Sequence, residues 1–131
     1  TWRRSVYMMA PHFNTHPVLR VFDAVDNFQS VGARTVSTTP SGALFMFNAP
    51  FLWQQAELMA ERIEREAGKA PDAQVDHIYE VAFIRPPTAE ERALGIQFLD
   101  RKPTKDDKND KSVLVHYCHA IMGLNEFIYI R

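Results

Sequence analysis

The chain has 131 residues, 15 Lys+Arg against 16 Asp+Glu, a net charge of -1 and a pI near 6.5. At 46% hydrophobic and 24% charged residues it has the composition of one ordinary globular domain with a single core. The charge balance argues against a nucleic-acid binder, no apolar run approaches the ~18–20 residues that span a bilayer, and a lone Cys118 excludes an internal disulfide, haem attached through paired thiols and a multi-Cys zinc site.

The opening Thr1-Trp2-Arg3-Arg4 has no initiator Met and no signal-peptide pattern, so the chain is expected to be cut from a longer one. Residues 1–39 hold no helical or alternating period, and Pro11, Asn14, Pro17, Asn27 and Gly32 punctuate them. Their frequent apolar residues, among them Val6, Tyr7, Val18, Leu19, Val21, Phe22 and Phe28, favour burial over disorder. This stretch reads as an irregular, extended arm packed across the rest. It carries one short helix near Pro17 to Phe22, and residues 5–9 form either a short strand or more of the arm.

Helical signals begin at Thr39, a cap followed by Pro40 at the first helical position. Asn48-Ala49-Pro50 interrupts that helix, because proline has no donor for a continuing turn. Pro50 starts a second helix with Leu52, Ala56, Met59 and Ile63 on one face and Gly68 as its stop. A third helix is expected after Asp72, burying Val75, Ile78, Tyr79 and Ala82 and ending before Pro86-Pro87. Thr88 with Glu91 three residues on is a capping box, and its helix should turn Leu94, Phe98 and Leu99 inward. Residues 101–111 have almost nothing to bury and read as a solvated loop. Ser112 or Asp110 caps a last helix with Leu114, Tyr117, Cys118, Ile121 and Leu124 on one face. The expected fold is all-α: a bundle of about five helices in residues 40–131, with residues 1–39 as the arm of the same domain.

Few constellations carry chemistry. His116 and His119, three apart on a helix, can reach one metal ion, but nothing nearby completes a zinc set. The packing alternative makes Cys118 a small buried hydrophobe flanked by two hydrogen-bonded or exposed histidines. Cys118 is a poor nucleophile candidate, since side chains one apart on a helix diverge by about 100°. Asp23 and Asp26 form an acidic cluster, read either as an acid/base or calcium pair or as partners of Arg3, Arg4 and Arg34. Arg34 with Ser37, Thr38 and Thr39 lies where a helix N-terminus can hold an anion, although capping explains Thr39 as well. Asn48, Asn125 and Glu126 are polar residues set among large apolar ones, suited to a network that fixes how helices meet.

Four stretches occur in a telling order: Arg3-Arg4-Ser5-Val6-Tyr7; Phe22-Asp23-Ala24-Val25-Asp26; Arg34 to Pro40 leading to Ala43-Leu44-Phe45-Met46-Phe47-Asn48; and Cys118-His119-Ala120 through Asn125-Glu126-Phe127-Ile128-Tyr129. Together they resemble the C-terminal half of the planctomycete-type domain of unknown function that ends large exported proteins. The stretch Ile78-Tyr79 through Arg85-Pro86-Pro87-Thr88 to Glu91 is also similar. The family usually has Cys where Val31 stands, Gly where Ile84 stands and a charged or polar residue where Ala49 stands.

The resemblance implies an exported location, periplasmic or cell-surface, and haem c elsewhere in the full-length protein, with no cofactor in this chain. The expected function is a non-catalytic structural or interaction module that docks onto its own upstream domains or a protein partner. One rival is part of an enzyme acting on polysaccharide or sulfated glycan, with Asp23, Asp26 or Glu126 as acid/base. Another is a redox accessory holding metal on His116 and His119.

Overall fold

Four of the described helices start on a proline, whose fixed φ suits the first helical turn and whose missing N–H costs nothing there. The computed structural model describes Tyr7, residues 16–22, Gly32, residues 40–101 and residues 112–128. Those residues are all-α: α1 (Pro17–Val21), α2 (Pro40–Asn48), α3 (Pro50–Ala67), α4 (Pro71–Phe83), α5 (Ala89–Leu99), α6 (Val113–Met122) and α7 (Asn125–Ile128). The expected short helix near Pro17, the break at Asn48-Ala49-Pro50 and the stop at Gly68 are all present. Thr39, Asp110 and the expected loop at 102–111 lie outside the described residues. The chain divides into two compact units, residues 1–45 and 46–131, with the junction inside α2.

In the first unit, His16 caps α1 by accepting the Val18 N–H at Nδ1, 3.3 Å away. Phe22, just past the end of α1, meets Phe45 edge to face at 5.8 Å between ring centroids.

In the second unit, α3 supplies the long apolar stripe, with Leu52, Ala56, Met59, Ala60 and Ile63 buried. α6 lies along that stripe and buries Leu114, Val115, Tyr117, Cys118, Ile121 and Met122. α4 adds Val75, Ile78 and Tyr79, so the core centres on Ile63, Val75, Ile78 and Cys118. Gln74 is also buried and donates from Nε2 to the Gly68 carbonyl at 2.7 Å, tying the α3–α4 turn to the helix that follows it. His119, inside the core, donates from Nε2 to the Met46 carbonyl at 3.0 Å and stacks on Trp53 at 3.9 Å. These contacts hold the end of α2 against α3 and α6.

Three expectations need correction. α4 begins at Pro71, behind the N-cap Ala70, so Asp72 lies inside its first turn rather than ahead of it. Leu94 points into water, 66% exposed, while Gly95 is the buried residue of α5. A Cβ on Gly95 would stand 2.5 Å from the Tyr117 hydroxyl and 2.8 Å from Val75 Cγ2. α5 therefore approaches α4 and α6 on its one residue without a side chain, which rotates Leu94 outward. Leu124 does not share the α6 face, because α6 ends at Met122 and the chain turns at Gly123.

Ile84 ends α4 in the left-handed region, at φ 57° and ψ 31°. A β-branched side chain is costly there, and at 91% exposure it gains little from packing.

Two stability measurements follow from these contacts. Gly95→Ala should lower the unfolding free energy by about 1–3 kcal/mol in urea titration, the scale of an overpacked core. Ile84→Gly should raise it by about 0.5–1 kcal/mol, the left-handed penalty less the extra chain entropy of glycine.

Candidate functional site

The turn between α4 and α5 gathers the richest set of polar contacts among the described residues. It begins with the left-handed Ile84, which redirects the chain so that Arg85 faces back across the end of α4. Pro86 and Pro87 then keep the backbone extended until Thr88 caps α5. The Thr88 hydroxyl accepts from Glu91 N–H at 3.3 Å, and the Glu91 carboxylate accepts from Thr88 N–H at 2.7 Å.

Arg85 uses every N–H it has. Nη1 and Nη2 each donate to a Glu91 oxygen at 2.9 Å. Nε and Nη2 donate to the two Glu126 oxygens at 2.7 and 2.8 Å, and Nη1 also reaches the Pro86 carbonyl at 3.1 Å. A guanidinium has five N–H donors in a planar fork, so two bidentate pairs and one carbonyl saturate it. Its carbon sits 5.4 Å from the Tyr79 ring centroid and 5.5 Å from that of Phe83, within cation–π range. One side chain thus joins the end of α4, the start of α5 and the start of α7. Arg85 keeps Glu91 ionised, at a pKa of about 2, helped by the Thr88 N–H.

Beside this turn lies an open groove of about 850 Å³, lined by Asp76, His77, Glu80, Arg85 and Arg92, with Ile84 and the two prolines. Arg92 on α5 donates to both Asp76 oxygens on α4 at 2.8 and 3.0 Å and lies 3.7 Å from Asp72. That bond lowers the Asp76 pKa below the usual carboxylate range. His77 stands between Glu66 of α3 and Glu80 of its own helix.

Glu126 is the sequence candidate that the structure places in a constellation, as the second carboxylate on Arg85. Asn125, beside it at the start of α7, is exposed, and Asn48 is exposed at the end of α2. Arg3, Arg4, Asp23, Asp26 and Arg34 lie outside the described residues. Arg85 itself is missing from the sequence candidates, although a stretch of the resemblance runs through it to Glu91, because its partner Glu126 is 41 positions away.

The α6 candidates have packing partners. Cys118 is fully buried, and burial pushes its thiol up to about 12, far from a thiolate nucleophile at neutral pH. His116 donates from Nδ1 to the Ser112 carbonyl at 3.1 Å and meets Trp53 edge to face at 5.4 Å. Among the described residues no three His, Cys, Asp or Glu side chains are placed to share a metal ion.

A family model matches residues 1–99, that of a protein of unknown function, DUF1553 (PSD1). The chain belongs to that family. No curated protein and no solved structure matches it. The DUF1553 match takes in Arg85 and Glu91 and stops at the last residue of α5, whereas Glu126 and the core helix α6 lie beyond it. No described helix is long and apolar enough to cross a membrane.

The turn makes a graded prediction. Thr88→Ala should cost about 1 kcal/mol, the loss of one N-cap. Arg85→Ala should lower the urea midpoint further than Arg62→Ala, which removes only an ion pair on the face of one helix. Arg85→Lys should not restore the loss, because an ammonium cannot form two forks.

Proposed function

We propose that this chain is a non-catalytic structural and interaction module at the C-terminal end of an exported, planctomycete-type multidomain protein with haem c elsewhere, and that it docks onto its own upstream domains. The observation that carries the docking reading is a contrast within residues 46–131. The charged groups around the groove are matched to one another, while Phe47, Phe51 and Leu58 stand 61%, 53% and 51% exposed. Phe51 and Leu58 lie seven apart on α3, two turns along one side of the helix. Large apolar side chains facing water together are a common mark of a surface that another body covers.

Two described carboxylates serve structure rather than acid catalysis. A general acid at neutral pH needs a raised carboxyl pKa. Glu91 and Glu66 are instead held down at about 2, by Arg85 and by His77 with Arg62 respectively. The exported location, the haem-bearing neighbour and the C-terminal position rest on the ordered motifs of the resemblance.

The test is association with the upstream part of the full-length protein, expressed separately. The two pieces should bind saturably. Phe51→Ser with Leu58→Ser should weaken binding about tenfold or more while circular dichroism stays unchanged. No association, or association indifferent to both substitutions, would overturn the docking reading. Turnover of a polysaccharide or sulfated glycan by the isolated chain would establish an enzyme instead.

A further inference from the structure

We propose that His77 is a proton-operated staple between α3 and α4, closed while its ring carries both protons and released when it loses one. The geometry demands two donors from a ring that, when neutral, has only one. Nε2 lies 2.9 Å from Glu66 Oε2 on α3, and Nδ1 lies 3.3 Å from Glu80 Oε2 on α4. An ionised carboxylate accepts and does not donate, whereas a neutral imidazole has one N–H and one lone pair. Only the imidazolium bonds to both oxygens at once. Either neutral tautomer turns a lone pair onto a carboxylate oxygen at one of those contacts.

Protonating Glu66 is not an easy escape from that conflict. Its oxygens also accept from Arg62 Nε at 3.1 and 3.0 Å and from Arg65 Nη2 at 3.2 Å, so beside His77 itself two guanidinium groups hold its pKa down. Glu80 is the freer partner, 75% exposed. The other charges around the ring come in matched sets. On its own helix Asp76 is bound by Arg92 of α5, which also faces Asp72. From the turn, Arg85 lines the same groove with its fork filled by Glu91 and Glu126. The two glutamates thus dominate the field at the imidazole, and Glu66 above all raises its pKa.

The sign follows from linkage. The folded value lies above the unfolded one, so the staple contributes fully below about pH 6.5 and is lost as pH rises through the folded value. Since Glu66 and His77 sit on either side of the Gly68 turn, release frees the hairpin of α3 and α4 at its groove edge. This inference is independent of the docking reading.

The experiment is a urea midpoint series on the whole chain from about pH 5.5 to 9, with histidine ring titrations by NMR. The wild-type midpoint should fall across the upper part of that range, and His77→Gln should remove most of the fall. The ring signal absent from His77→Gln should titrate above an ordinary histidine. Glu80→Gln, a change at an exposed position, should shift that titration downward while leaving the chain folded. Equal pH dependence in the wild type and His77→Gln, or a His77 titration at or below about 6.5, would overturn the proposal. Should His77→Gln fail to fold, the shift between wild type and Glu80→Gln decides the same question.

Discussion

One guanidinium organises the polar side of this helical body. Arg85 has five N–H groups and all five are engaged, which no other side chain at that position would reproduce. The arrangement needs Arg85 turned back over Tyr79 and Phe83, and the left-handed residue before it makes that turn. Local strain at Ile84 and the filled fork of Arg85 are two aspects of one device. The unfavourable backbone persists because the contacts downstream over-determine it.

Two helix ends carry residues that local backbone preference disfavours. Ala49 stands at the N-cap of α3 and offers no side-chain acceptor, unlike the Ser, Thr, Asp or Asn that helices prefer there. Its methyl group is buried, so the site favours packing over capping. Ile84 stands at the C-cap of α4 in a left-handed conformation that glycine would adopt freely. At Ala49 packing outweighs the local preference, while at Ile84 the contacts of the next residue, Arg85, hold the costly conformation in place.

Electrostatics in residues 46–131 is mutual. Arg92 fastens α5 to α4, His77 fastens α4 to α3, and Arg85 fastens α7 to the α4–α5 turn. Each link crosses between elements, so these charges fix how the helices meet. The histidines of α6 serve the same end by donating to carbonyls and packing on Trp53. What distinguishes His77 is that its two partners leave it a single satisfying protonation state.

The helical character and most of the element boundaries were readable from the residues alone, because their causes are local. Proline at the first turn, the Thr88–Glu91 box, the stop at Gly68 and the spacing of Leu52, Ala56, Met59 and Ile63 each act within a few positions. The inward turn of Gly95, the outward turn of Leu94, the pairing of Arg85 with Glu126 and the pairing of His77 with Glu66 were decided only by tertiary structure. Those depend on which helix surfaces approach closely, and on pairs 11 to 41 positions apart along the chain. A periodic pattern identifies which side of a helix is apolar. Which neighbour it meets, and how near, is a property of the packed body.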